Sequence, residues 1–82
     1  MQKSTFTAEY AVFCRLLREH REQAGLTQVE FAERIKETQS YVSKVERGER
    51  RIDLVQLRVF CKAMGVSLGR FVEAFERAVR KT

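Results

Sequence analysis

Three times along this chain an apolar residue precedes a helix-capping residue and is followed, five positions on, by a second large apolar residue. The strings are Leu26-Thr27 with Phe31, Ile52-Asp53 with Leu57, and Val66-Ser67 with Phe71. A cap of this kind accepts from the free N–H groups of a helix's first turn, and the two apolar residues staple the entering chain onto that turn. Glu30 and Gln56 stand where the third helical residue can bond back to the cap, whereas Arg70 cannot complete such a box. Thr38 supplies a fourth cap. A chain punctuated in this way is cut into short helices whose entry angles are set locally. The absence of proline and the four scattered glycines suit a helical bundle better than a sandwich.

The stretch before the first staple has apolar residues at helical spacing, Phe6, Tyr10, Phe13, Leu17 and Ala24, and ends at Gly25, a natural helix stop. The pattern predicts helices near 7–24, 28–36, 39–46, 54–64 and 68–80, with frayed ends at Met1–Thr5 and Lys81–Thr82. Only the 47–53 connection is more than a short turn. An 82-residue chain has room for one domain, 1–82, and one modest core, so an all-α fold with a subunit partner is expected.

Sixteen Lys and Arg against eleven Asp and Glu leave a net charge of +5, which favours a polyanionic partner over an acidic or neutral one. No segment approaches the ~20 apolar residues of a membrane span and no signal peptide opens the sequence, so a cytoplasmic protein is expected. Cys14 and Cys61 lie in apolar helical stretches and read as reduced core residues. With His20 they would make only three zinc ligands at spacings unlike a finger, so no metal and no cofactor is expected. One histidine, no glycine-rich phosphate loop and no paired carboxylates leave nothing for an enzyme to work with, and no small-molecule effector pocket is evident.

Residues 27–46 carry the function. Two short helices joined by a three- or four-residue turn make a helix-turn-helix. Phe31, Ala32, Ile35, Val42 and Val45 fall on the inner faces, with Ala32 small enough to let the helices cross closely. The opposite face of 39–47, with Gln39, Ser40, Ser43, Lys44 and Arg47, is polar and is left for something outside the domain. A merely solvated face is the plain alternative.

Leu26-Thr27-Gln28 with Phe31-Ala32, the string from Ser40 to Gly48, and Leu57 through Val66 together resemble the lambda-repressor-like, xenobiotic-response-element-type helix-turn-helix regulators. The resemblance covers roughly residues 13–75 and is strongest to the small single-domain kind similar to restriction-modification controller proteins. It implies a five-helix bundle with helices 2 and 3 as the helix-turn-helix, and a sequence-specific regulator of transcription, repressor or self-regulating controller, bound to double-stranded DNA. It implies that Gln39, Ser40 and Lys44, flanked by Ser43 and Thr38, face base edges, and that Gln28 contacts a phosphate while bracing Gln39. Tyr41, Arg47, Arg50, Arg51 and Arg18 are the further phosphate contacts it suggests, and Arg21 and Glu46 form a partly buried structural ion pair. Packing on the second helix is the alternative for Tyr41, pairing with Glu46 and Glu49 for the arginine cluster, and solvent for Arg18. The chain departs from such relatives at Lys36, where their turns often carry Gly, at Glu37, which brings negative charge near the expected phosphates, and at His20, where an apolar residue is usual.

Along the last helix Val72, Phe75 and Val79 extend past the point where so small a bundle has partners for them. This stripe is expected to form a two-fold homodimer interface, with Val12 or Leu16 as contributors, on a near-palindromic operator. Folding back on the first helix is the alternative for the stripe. The competing function is an antitoxin or adaptor whose helix 5 binds a partner protein.

Overall fold

Every expected cap begins a helix. The computed structural model describes residues 7–81, which form α1 (Ala8–Gln23), α2 (Gln28–Ile35), α3 (Gln39–Glu46), α4 (Leu54–Met64) and α5 (Leu68–Arg80), with no strand among the described residues. Phe6 and the frayed ends expected at 1–5 and 82 lie outside the described residues, while Lys81 closes α5 as its C-cap. Thr27, Thr38, Asp53 and Ser67 each accept from the backbone N–H three residues on, at 3.1, 3.0, 2.8 and 3.1 Å. At α2 the box is reciprocal, because Glu30 accepts from the Thr27 N–H at 3.0 Å. Thr7, expected as the first helical residue, is instead the cap of α1 and accepts from Tyr10.

The turn between α2 and α3 is made by Lys36 in the left-handed conformation, φ 60 and ψ 43. Its N–H bonds back into α2, and the Glu37 N–H donates to the Ala32 carbonyl at 2.9 Å. That backbone is what a glycine would adopt freely, and a Cβ makes it costly. The tight reversal is needed all the same, because it lays α3 across α2 within three residues.

The five residues the pattern assigns inward do meet. Phe31, Ala32, Val42 and Val45 are sealed from solvent, and Ile35 is buried beside them. Leu17 from α1, Leu57, Phe60 and Cys61 from α4 and Phe71 from α5 complete the core, with Phe31 and Phe60 edge-to-face at 5.0 Å between ring centroids. Burial pushes the Cys61 thiol up to about 11 and raises that of Cys14, whose Sγ donates to the Val45 carbonyl at 3.5 Å, so both stay protonated near neutral pH. His20 is half-buried, its Nδ1 2.8 Å from the Leu16 carbonyl and its ring 5.0 Å from that of Phe71.

The expected Arg21–Glu46 pair is formed and more enclosed than the sequence suggested, with side chains only 8% and 6% exposed. Nε and Nη2 of Arg21 donate to the two Glu46 oxygens at 2.6 and 3.1 Å, and Nη1 donates to the Leu26 carbonyl at 2.7 Å. One arginine thus ties α1 to the end of α3 and to the residue that enters α2.

Along α5 the stripe is shared. Phe71 is buried, and Phe75 lies edge-on to Phe13 of α1 at 6.2 Å, with Val79 partly covered. Val72 remains 41% exposed. Val12 and Leu16, expected as interface contributors, are buried in the protomer's own core and have no surface to offer a second subunit. On α1 the half-exposed Phe13 packs edge-on against Phe71 and Phe75 of α5.

Two stability predictions follow from these constraints. Arg21→Met leaves the Glu46 carboxylate buried without its cation and should cost about 3–5 kcal/mol, read from urea denaturation. Lys36→Gly relieves the left-handed side chain at some cost in unfolded-state entropy, and should raise stability by about 0.5–1 kcal/mol in the same assay.

Candidate nucleic-acid interface

With its inner face sealed by Val42 and Val45, α3 turns Gln39, Ser40 and Lys44 outward, and all three are exposed. Ser40 and Lys44, four residues apart, stand on one stripe of the helix, with Gln39 one position before Ser40 at its outer end. Thr38 and Ser43, expected to flank this stripe, are engaged within the protein. The Thr38 hydroxyl caps α3, and the Ser43 hydroxyl accepts from Nη1 of Arg47. Each hydroxyl accepts one bond within the protein and keeps its own O–H to donate.

Gln28 does more than open α2. Its Oε1 accepts from Nε2 of Gln39 at 2.8 Å, and its own Nε2 donates to Oε1 of Glu46 at 3.0 Å. The expected brace on Gln39 is therefore present and is anchored to the buried ion pair. Nothing in the spacing of the sequence indicates the bond to Glu46, because the residues are eighteen apart and both were assigned other partners. The amide of Gln28 also sits at a helix N-terminus, where free N–H groups favour anions.

The arginine cluster separates into three environments. Arg47 is bound to Glu49 at 3.0 and 3.1 Å, and the same bond holds the fully exposed Glu49 carboxyl below its ordinary value. Glu46, the other acid considered for this cluster, belongs to Arg21. Arg50 lies over the Tyr41 ring at 5.1 Å, a cation–π arrangement that keeps the guanidinium on the α3 side of the loop. Arg51 lies over Tyr10 of α1 at 4.1 Å. It also lines an open cleft of about 500 Å³ with Tyr10, Phe13, Leu54, Leu57 and Phe75, a feature with no counterpart in the sequence pattern.

Tyr41 is half-buried against the core, its ring 6.4 Å from that of Phe60 on α4. Burial, followed by the nearby Glu37 carboxylate, pushes its hydroxyl above the ordinary value. It is therefore a hydrogen-bond donor at neutral pH, as a phosphate contact requires. Arg18 is exposed on α1. The positive residues that remain on the α3 side are thus Lys44 and Arg50, with Arg47 partly neutralised by Glu49. No helix among the described residues is long and apolar enough to cross a membrane.

The comparisons with known proteins agree with this geometry. A helix-turn-helix family profile matches residues 17–71. An XRE-family like protein from Pseudomonas syringae pv. tomato str. DC3000 is 38% identical, with a TM-score of 0.80 over 87% of each chain. The wild-type restriction-modification controller protein C.Esp1396I superposes with a TM-score of 0.84 at 22% identity, over 93% of this chain and 99% of that one. The same controller as a tetramer in complex with its natural 35 base-pair operator gives a TM-score of 0.78 at 22% identity, over 87% of this chain and 93% of that one. No curated protein matches the sequence. With the family profile spanning more than half of its length and a 38% identical XRE-family relative over most of it, the chain belongs to the helix-turn-helix family of DNA-binding regulators and is not an enzyme.

Proposed function

We propose that the protein regulates transcription by binding double-stranded DNA sequence-specifically, as a homodimer, with α3 in the major groove of a near-palindromic operator. The observation that carries this reading is the exposed amide of Gln39, held by Gln28 at the outward end of a helix whose other side is locked into the core. A controller protein of the same fold is found in complex with its natural operator, which supports the DNA reading. Gln39 reads a base edge, with Ser40 and Lys44 following along the groove. Gln28, Tyr41 and Arg50 hold the backbone beside it, and Arg18, Arg47 and Arg51 add charge at greater reach. Thr38 and Ser43 flank the stripe, their hydroxyl oxygens oriented by the bonds they accept and their O–H groups left to donate.

One recognition helix meets only a few base pairs, and two helices about one turn apart, ~34 Å, specify far more sequence. The exposed Val72, with the partly covered Phe75 and Val79, is the face we assign to the second copy. The same face would serve the antitoxin or adaptor alternative, in which a different protein covers α5.

Selection from a randomised duplex pool, run at low salt with the wild type and two variants, tests the DNA reading. The wild type should enrich a two-fold symmetric motif, and failure to enrich any sequence would end the proposal. Gln39→Ala should lose about 1–3 kcal/mol and flatten the preference at one base pair of each half-site. Arg50→Ala should weaken binding equally across sequences and lower the slope of affinity against salt by about one. Identical behaviour of the two variants would refute this division of labour. Sedimentation over a range of concentrations tests the dimer: a monomer–dimer equilibrium is expected, and Val72→Glu should shift it to monomer. A wild type that stays monomeric throughout would leave α5 to the alternative partner.

A further inference from the structure

Arg21, Glu46, Gln28 and Gln39 form an unbroken chain of hydrogen bonds running from the core to the outer tip of α3. The chemistry at its buried end dictates the direction of every bond along it. Arg21 has only donors, and an ionised carboxylate has only acceptors. Glu46 therefore accepts from both Arg21 and Gln28, and Gln28 must turn its NH₂ group inward. Its Oε1 is left facing Gln39, which must in turn direct its own NH₂ group back to Gln28. What Gln39 has left to present is one N–H and a carbonyl oxygen.

One donor beside one acceptor is the complement of adenine, whose major-groove edge offers N7 as acceptor and the N6 amino group as donor. Guanine offers two acceptors, N7 and O6, and would set its O6 against the Gln39 oxygen. We propose that Glu46 is a specificity-determining positioning residue: from inside the protein it fixes the polarity of the Gln39 amide, so that the site accepts adenine and rejects guanine. The inference rests on the reading of Gln39 as the base-contacting residue.

Glu46→Gln makes the claim sharp. Arg21 Nε, at 2.6 Å, holds the shorter of its two bonds and keeps the oxygen, so the new amide places its NH₂ group toward Gln28 and gives up the 3.1 Å bond from Arg21 Nη2. Gln28 then reverses to accept, Gln39 reverses to accept from Gln28, and two N–H groups face the groove, as guanine requires. Gln28→Met keeps the shape of the bridge and removes its polar atoms, which frees the Gln39 amide to rotate.

The experiment is pool selection, followed by competition between duplexes that carry adenine or guanine at the position Gln39→Ala flattens. Each protein is held below its melting point as followed by circular dichroism. Gln28→Met should lower the adenine-to-guanine ratio about ten-fold beyond any uniform loss of affinity, and Glu46→Gln should lower it further, toward guanine. If Glu46→Gln does not fold, the double variant Arg21→Met with Glu46→Met, which removes the buried pair together, takes its place and should lower the ratio as Gln28→Met does; an unchanged ratio in it overturns the proposal. An unchanged ratio in folded Gln28→Met would overturn the proposal, as would a loss spread evenly over all four bases, and so would an unchanged ratio in folded Glu46→Gln. If Gln39→Ala itself leaves every position unaltered, the base-reading role of Gln39 fails, and this inference fails for that reason and not through its polarity argument.

Discussion

A charge pair taken out of water is the constraint around which this small protein is arranged. Burying Arg21 and Glu46 is tolerable only if all three nitrogens of the guanidinium and both carboxylate oxygens find partners. The surroundings supply them: Leu26 gives its carbonyl, Glu46 both oxygens, and Gln28 closes the remaining side of the acid. Those partners lie at the entry to α2 and at the two ends of the helix-turn-helix. Satisfying one arginine therefore sets the height and rotation of α2 and α3 against α1. The apolar contacts through Phe31, Val42 and Val45 supply the greater part of the driving force, but they are non-directional. The ion pair supplies the direction.

Much of this was legible in the sequence because the deciding interactions are local. A cap and its N–H are three residues apart, a staple spans five, and the resulting helix boundaries agree with the structure to within a residue or so. The core faces of α2 and α3 were equally readable, since helical period alone brings Phe31, Ala32 and Ile35 to one side and Val42 and Val45 to the other. Even the left-handed Lys36 was foreshadowed by the non-glycine residue at the turn.

What stayed hidden depends on where long side chains go once the backbone is folded. Arg47, Arg50 and Arg51 look equivalent as a run of like charges, yet one pairs with Glu49, one stacks on Tyr41 and one on Tyr10. Their separation follows from the irregular backbone between α3 and α4, which has no period to read. Val12 and Leu16 failed as interface residues for a related reason. Periodicity shows that a helix has an apolar face, and not which of two neighbours covers it. Thr38 illustrates a third kind of ambiguity: a residue expected beside the base-reading stripe is also the one whose hydroxyl oxygen caps α3.

The energetics of buried ion pairs sharpen the case for Glu46. Two apolar side chains of the same shape would hold α1 against α3 about as well as a buried pair does, because desolvation largely offsets the Coulombic gain. Mechanical support alone therefore does not account for an acid at this position. An apolar substitute would, however, face Gln28 with no hydrogen-bonding group, and the amides of Gln28 and Gln39 could then settle in either orientation. A carboxylate removes that freedom without touching DNA, since it can only accept. The residue that completes the core and the residue that would choose the base are then connected by a single bridging glutamine, so a change that leaves the fold intact can still alter what the protein reads.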